Sequence, residues 1–428
     1  MVPGLKFNNI LGANTLECRI KGMSMKILKR SIGFCLLLAS FTVLLSHGVS
    51  SSDDINEYKV TITEHGHVLV DVFIGEEGPF PFVFDTGAGT MVDEELAATL
   101  QLKQKGTTKI YDFAGIKGKV PVFELGTLQT AGLRFKVKKA LGLNTKILRF
   151  GCSGARGIIG GELIKQKNWQ INFQDSTLKV SSNPFVLQKN SMVIPIKKYT
   201  KRGGPLLDYS YGSTITPFPI LFDTGNPGLM TIPTYIYDLM DKDHYTDLNS
   251  HTIDSKDFGG LLGSKKQQID YLAFNTIRLG NTTVENFLAQ YSENTMYTLG
   301  THFFSKGLLT LNNSSQVLGY DFSEAKKELK PHLMRAGFRL GINDTSIYVG
   351  ALEKGGPAAQ VGIQLGDICK EVNGISASDL LKNKCEALST LLAWMKNGTE
   401  IRVVIERLES PVVLPLMDRP FPVSTVLN

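Results

Sequence analysis

Groups that carry catalytic or metal chemistry are sparse in this sequence. Of 428 residues, five are cysteine, seven histidine and two tryptophan. No Cys/His group has the spacing of a metal site, so neither metal nor cofactor is expected. His65 and His67 stand two apart with no further ligand near them, and are expected as exposed strand histidines. No Gly-x-Ser-x-Gly elbow occurs, which leaves a serine or cysteine hydrolase built on Ser153 or Cys152 without support. A basic block is also missing. The net charge is +6, but residues 1–52 hold six basic residues and one acid, so the remaining chain carries about +1. That excludes the electrostatic footprint of a nucleic-acid partner. Beyond residue 52 the cysteines are Cys152, Cys369 and Cys385. An odd number at wide spacing is no disulfide framework. Buried free thiols are expected, with a Cys369–Cys385 bridge as the alternative.

Long apolar runs are rare too. The run from Ile32 to Leu45 covers 14 residues, short for a bilayer span. The basic stretch Met25–Arg30 precedes it and small or polar residues Ser46–Ser52 follow. This predicts a secretory signal peptide within residues 1–52 and a periplasmic or secreted protein. An uncleaved membrane anchor is the alternative. Cys35 follows Phe34 inside the run and does not have the setting of a lipid-attachment cysteine.

What the chain does contain is an internal repeat. Pro81-Phe82-Val83-Phe84-Asp85-Thr86-Gly87-Ala88 is matched by Pro219-Ile220-Leu221-Phe222-Asp223-Thr224-Gly225-Asn226. Each is an apolar run ending in Asp-Thr-Gly, which predicts a buried strand delivering an acid to a loop. Further landmarks repeat in order. Asp112-Phe113-Ala114-Gly115 matches Asp257-Phe258-Gly259-Gly260, and Ile158-Ile159-Gly160-Gly161 matches Thr298-Leu299-Gly300-Thr301. Apolar strand patterns then follow at Trp169–Phe173 and Gly307–Leu311. Helical periodicity is scarce, with one short candidate at Glu94–Leu100. The order predicts two β lobes, over residues 53–184 and 185–325, packed about an approximate two-fold axis.

An acid on each of two facing loops suits peptide hydrolysis through an activated water. One carboxylate takes the water's proton while a protonated carboxyl donates to the amide oxygen. Two carboxyls within hydrogen-bonding range share a proton and titrate as a pair. Gly87 and Gly225 permit the close approach of the loops. Thr86 and Thr224 offer hydroxyls to the opposite loop.

With these motifs, residues 56–322 resemble the pepsin/retropepsin superfamily of aspartic proteases. The resemblance implies a β-barrel in each lobe, Asp85 and Asp223 as the catalytic dyad, Thr86 and Thr224 as an interlocking grip, and a cleft for an extended peptide. A Ser or Thr often follows Asp-Thr-Gly in that family. Here Ala88 and Asn226 stand there, the Asn amide being a potential donor. Tyr111 and Phe113 are candidates for a flap over the cleft, with Phe258 on a second one; hairpin core residues are the plainer alternative.

Residues 329–408 change character. The series Gly337-Phe338-Arg339-Leu340-Gly341-Ile342, Gly356-Pro357-Ala358-Ala359, Gly366-Asp367-Ile368 and Val372-Asn373-Gly374 is similar to a PDZ domain of the bacterial type. Strands are expected at Ser346–Leu352 and Glu400–Leu408, and a helix at Lys384–Lys396. The resemblance implies a groove at Phe338, Leu340, Gly341 and Ile342 that takes the C-terminal end of a peptide as an added strand. A module kept only for packing is the alternative. Residues 409–428, with Pro411, Pro415, Pro420 and Pro422, are expected as an irregular tail. The sequence therefore points to an aspartic endopeptidase with a peptide-recruiting module, or to a non-catalytic peptide-binding protein that keeps the same fold.

Overall fold

The computed structural model describes residues 55–144, 152–212, 214–215, 218–322, 328–329, 332–422 and 425–427. The expected leader in residues 1–52 lies outside them. Among the described residues, no helix is long and apolar enough to cross a membrane.

The protein is mainly β. The first Asp-Thr-Gly strand, Glu77–Asp85, is exposed at its start and buried from Phe82 onward. Apolar residues on successive positions bury both faces, as a central strand requires. It pairs antiparallel with Val68–Ile74 (Leu69 opposite Val83). On its other edge Gly157–Gly160 runs parallel, setting Ile159 opposite Phe84 and Gly160 opposite Asp85. The second copy repeats this. Ile220–Phe222 pairs antiparallel with Pro205–Leu207 and parallel with Thr298–Leu299, setting Phe222 opposite Leu299. The expected short helix is present as Glu94–Thr99, capped by the Asp93 carboxylate on the Leu96 N–H; a side-chain acceptor there satisfies one of the amides left free in a first turn.

The strands that follow each repeat join the halves. Asn168–Asn172 pairs antiparallel with Gly307–Asn312, with Ile171 opposite Leu309. Thr177–Ser181 and Asn56–Lys59 extend this sheet on one side, Val317–Phe322 and Met192–Tyr199 on the other. Behind each acid-bearing strand an edge-to-face aromatic pair fills the interior: Phe84 on Trp169 at 5.3 Å, and Phe222 on Phe304 at 5.2 Å. One continuous apolar core runs through both halves.

The C-terminal region has its own core. Phe338–Ile342 pairs with Ile347–Glu353, and further antiparallel strands lie at Ile368–Val372 and Glu400–Ile405. The helix is Lys384–Asn397, capped by Asn383. The last predicted strand ends at Ile405 rather than Leu408, because Arg407 turns away to grip the Asp367 carboxylate at 2.6 and 2.7 Å.

Two expectations are corrected. Residues 409–428 are no irregular tail. Val412–Pro415 pairs along Glu400–Ile405, from Val403 opposite Val412 to Glu400 opposite Pro415, and Leu414, Leu416 and Phe421 are buried. This is an edge strand, and Pro415 closes it, a position where a missing N–H is tolerated. The cysteines are not all free either. Cys152 and Cys385 form a disulfide with their Cα atoms 5.2 Å apart, and only Cys369 among the described cysteines is a buried free thiol. The partners lie 233 residues apart in sequence, so linear spacing carried no trace of the pairing. Burial, helped by Asp367, pushes the Cys369 thiol up to about 12, which leaves it unreactive. Cys152, being oxidised, is no nucleophile.

Candidate active site

Each acid stands where its apolar strand ends and the chain must turn. Asp85 and Asp223 are both 8% exposed, and their carboxyl groups hydrogen-bond to each other. The glycines make this approach possible. A Cβ on Gly87 would lie 2.4 Å from the Asp223 Cγ, and one on Gly225 would lie 2.3 Å from the Asp85 Cγ. No side chain fits at either position without displacing the opposite carboxyl.

Threonines lock the two loops together. The Thr86 hydroxyl donates to the Phe222 carbonyl at 2.8 Å and accepts from the Thr224 amide at 3.0 Å. Reciprocally, the Thr224 hydroxyl donates to the Phe84 carbonyl at 2.8 Å and accepts from the Thr86 amide at 3.0 Å. All four bonds are buried, so the Thr86 and Thr224 amides and the Phe84 and Phe222 carbonyls are each met by a hydroxyl from the opposite loop.

The electrostatics follow from burial. Desolvation raises both carboxyls above the ordinary aspartate value, Asp223 furthest because the Asp85 charge and hydrogen bond add to it. Backbone donors oppose this. Gly87 and Ala88 amides reach Asp85 Oδ1 at 2.8 and 2.9 Å, and the Gly225 amide reaches Asp223 Oδ1 at 3.0 Å. The Asn226 side-chain amide does not donate to the acids as the sequence suggested. Its Nδ2 donates to Thr298 Oγ1 at 3.1 Å and its Oδ1 accepts from the Gly228 amide. With Ala88 in the matching place, neither acid has a side-chain donor from the position after its Asp-Thr-Gly, and the pair retains a proton more readily.

Both acids face a cavity of about 610 Å³. Two hairpins contribute to its walls. Lys103–Tyr111 pairs with Lys117–Glu124, and Ile253–Gly260 pairs with Gly263–Leu279. Their tips touch. Asp112 accepts from the Leu262 amide across the gap at 2.9 Å, and the Phe113 and Phe258 rings are 5.8 Å apart. Tyr111 and Phe113 line the cavity, whereas Phe258 packs on Phe113 and leaves the lining to Asp257 and Gly259 beside it. Leu340, Gly341 and Ile342 from the C-terminal region line the same cavity. Phe338 does not, being 0% exposed in that region's own core.

Several lining residues escaped sequence reasoning. His65 and His67 are not on an exposed strand. A turn closed by Gly66, at φ +88° with its amide on the Thr63 carbonyl, holds them half-buried in the cavity wall. Burial and the neighbouring His65 lower His67 to about 4, against the pull of a hydrogen bond to the Gly225 backbone; it is neutral near pH 7. Leu388, Tyr348 and Arg202 also line the space, and no local motif marks any of them. Among the described residues no group of acids, histidines and cysteines is arranged to hold a metal ion. No family model matches this sequence, and no curated protein matches it.

Proposed function

We propose that the protein is an aspartic-type endopeptidase acting outside the cytoplasm, with two retropepsin-like lobes and a PDZ-like module that recruits peptide. The observation that carries this reading is the reciprocal setting of Asp85 and Asp223. Their carboxyls share a hydrogen bond at the floor of a cavity, on loops tied by a symmetric ring of threonine bonds. A turn motif with no catalytic role has no use for two buried acids in contact, since burying a carboxylate is costly unless it is paired or protonated. The disulfide supports an oxidising compartment, in keeping with the leader expected from the sequence.

In this mechanism the dyad carries one proton. A water held between the acids loses a proton to the ionised carboxylate as its oxygen attacks the scissile carbonyl. The protonated carboxyl donates to the carbonyl oxygen, giving a neutral gem-diol. Collapse returns a proton to the leaving nitrogen. Backbone amides on Oδ1 of each acid hold the carboxyls still through the exchange. The paired hairpins limit water and hold an extended peptide by its backbone.

The test is digestion of a peptide library at several pH values, with and without a transition-state mimic of aspartic peptidases. Wild-type protein should cleave and the mimic should block it. Asp85→Asn and Asp223→Asn should each abolish cleavage while retaining peptide binding. Cleavage undiminished in both variants would overturn the assignment, and binding without cleavage at any pH would leave a peptide-binding protein.

A further inference from the structure

One cavity is lined both by Asp85, Asp223 and Ile158 and by Leu340, Ile342 and Leu388 of the C-terminal region. We propose that a single substrate strand fills it, its apolar carboxy-terminal end seated in the module, so that cleavage falls at a fixed number of residues from the substrate's C-terminus. This rests on the peptidase reading above and adds to it a rule of substrate selection.

Three features carry the proposal. First, among the described residues Phe338–Ile342 is paired on one edge only, with Ile347–Glu353. The free edge offers backbone groups to an extended chain, and every ladder of this sheet is antiparallel. A strand added in the same sense runs toward the start of Phe338–Ile342. Second, the chain turns just ahead of Phe338 at Gly337 (φ +74°), whose amide is taken by the Met334 carbonyl, so an added strand ends at this end of the edge, with its terminal carboxylate at the backbone there and its last side chain toward Leu340, Ile342 and Leu388. Third, the distance from that end to the acids is fixed by two independent ties. The disulfide joins Cys385, in the first turn of the helix carrying Leu388, to Cys152, just ahead of the strand that flanks Asp85. On the other side Ile253–Gly260 pairs with Ile347–Glu353, and Asp257 bonds Arg339 at 2.6 Å. The Asp257 carboxylate nests over Gly341 and Gly350, where a Cβ would approach it to 2.9 and 2.8 Å. A recruiting module on a loose tether would impose no such register.

The experiment uses the full chain and synthetic peptides sharing one cleavable sequence, followed by a spacer of increasing length and an apolar last residue, as free acid or as amide. Products are identified by mass spectrometry. The expected result is a carboxy-side product of constant length whatever the spacer. Amidation should lower kcat/KM about tenfold or more, the order for losing hydrogen bonds to a charged group, chiefly through KM. A short non-cleavable peptide with a free apolar end should compete, and its amide should not. Cys385→Ala should scatter the product lengths while cleavage continues. Products scattered in the wild type, or equal rates for acid and amide, would overturn this inference alone. Absence of all cleavage would overturn the peptidase reading and this one with it.

Discussion

Replacing Thr86 by alanine isolates what the threonine ring does. The substitution removes one hydroxyl that both donates and accepts, so it strands the Phe222 carbonyl and the Thr224 N–H together. Both lie where Thr86 and Thr224 are 1% exposed, out of reach of compensating water. A buried polar group left without its partner costs about 1–3 kcal/mol, so the pair costs about 2–6 kcal/mol. Thr86→Ser keeps the hydroxyl and loses one methyl group, about 1 kcal/mol. Urea denaturation should therefore give a clearly lower midpoint for the alanine variant at unchanged slope, with serine close to wild type. Peptide cleavage should follow the same order, since the ring also sets the separation of Asp85 and Asp223. Thr224→Ala should behave like Thr86→Ala, and the double variant should lose less than the sum, because once the loops part the second pair of bonds is already weakened. Alanine and wild type unfolding within about 0.5 kcal/mol of each other would refute the account of the ring as the structural lock of the site.

Two other perturbations test neighbouring parts of the argument. His67 titrates at about 4 in the fold against 6.5 when free, so the unfolded chain binds its proton first as pH falls. Stability should be lost between about pH 6.5 and 4, by roughly 3 kcal/mol at most, and thermal melts of His67→Gln should show that part of the acid slope removed. Glu353 has a side chain 2% exposed and is held bidentately by Arg419 at 2.6 and 2.9 Å, with His251 at 3.1 Å. Arg419→Ala leaves it a buried charge with only the histidine, which should cost about 3–5 kcal/mol in chemical denaturation; removing residues 417–428 should do the same, whereas an irregular tail would come away without effect.

The parts of the site that could be read from the sequence are those whose physics is local. Phe82–Phe84 and Ile220–Phe222 announce buried strands by unbroken apolarity, and the glycine two positions after each acid announces a close approach. The repeat adds a long-range constraint. Asp85 and Asp223 are 138 residues apart, and so are Ile171 and Leu309, which pair across the sheet joining the halves. The same offset therefore relates the acids and the strands of the joining sheet, and the internal repeat carries it. The Glu94–Thr99 helix was legible from a short stretch of helical periodicity, and the structure adds the Asp93 cap at its start.

The illegible parts depend on contacts between distant segments whose local pattern permits several outcomes. His65 and His67 alternate as a strand would, but Gly66 at positive φ turns the chain and puts both rings into the cavity wall. The prolines at 411 and 415 bracket Val412–Leu414 rather than interrupt it, so a short edge strand survives where proline content alone suggested none. Leu388 is one apolar position in an ordinary amphipathic helix, and it reaches the cavity because Cys385, one turn earlier, is bonded to Cys152. The C-terminal region is held against the cavity by that bond, by the pairing of Ser255 with Ala351 and by Asp257 resting on two glycines. Each of these is a pairing of unlike segments, for which a repeat within one chain offers no template; the repeated segments were legible through their recurrence, and the contacts of the C-terminal region became so only once its partners were in view.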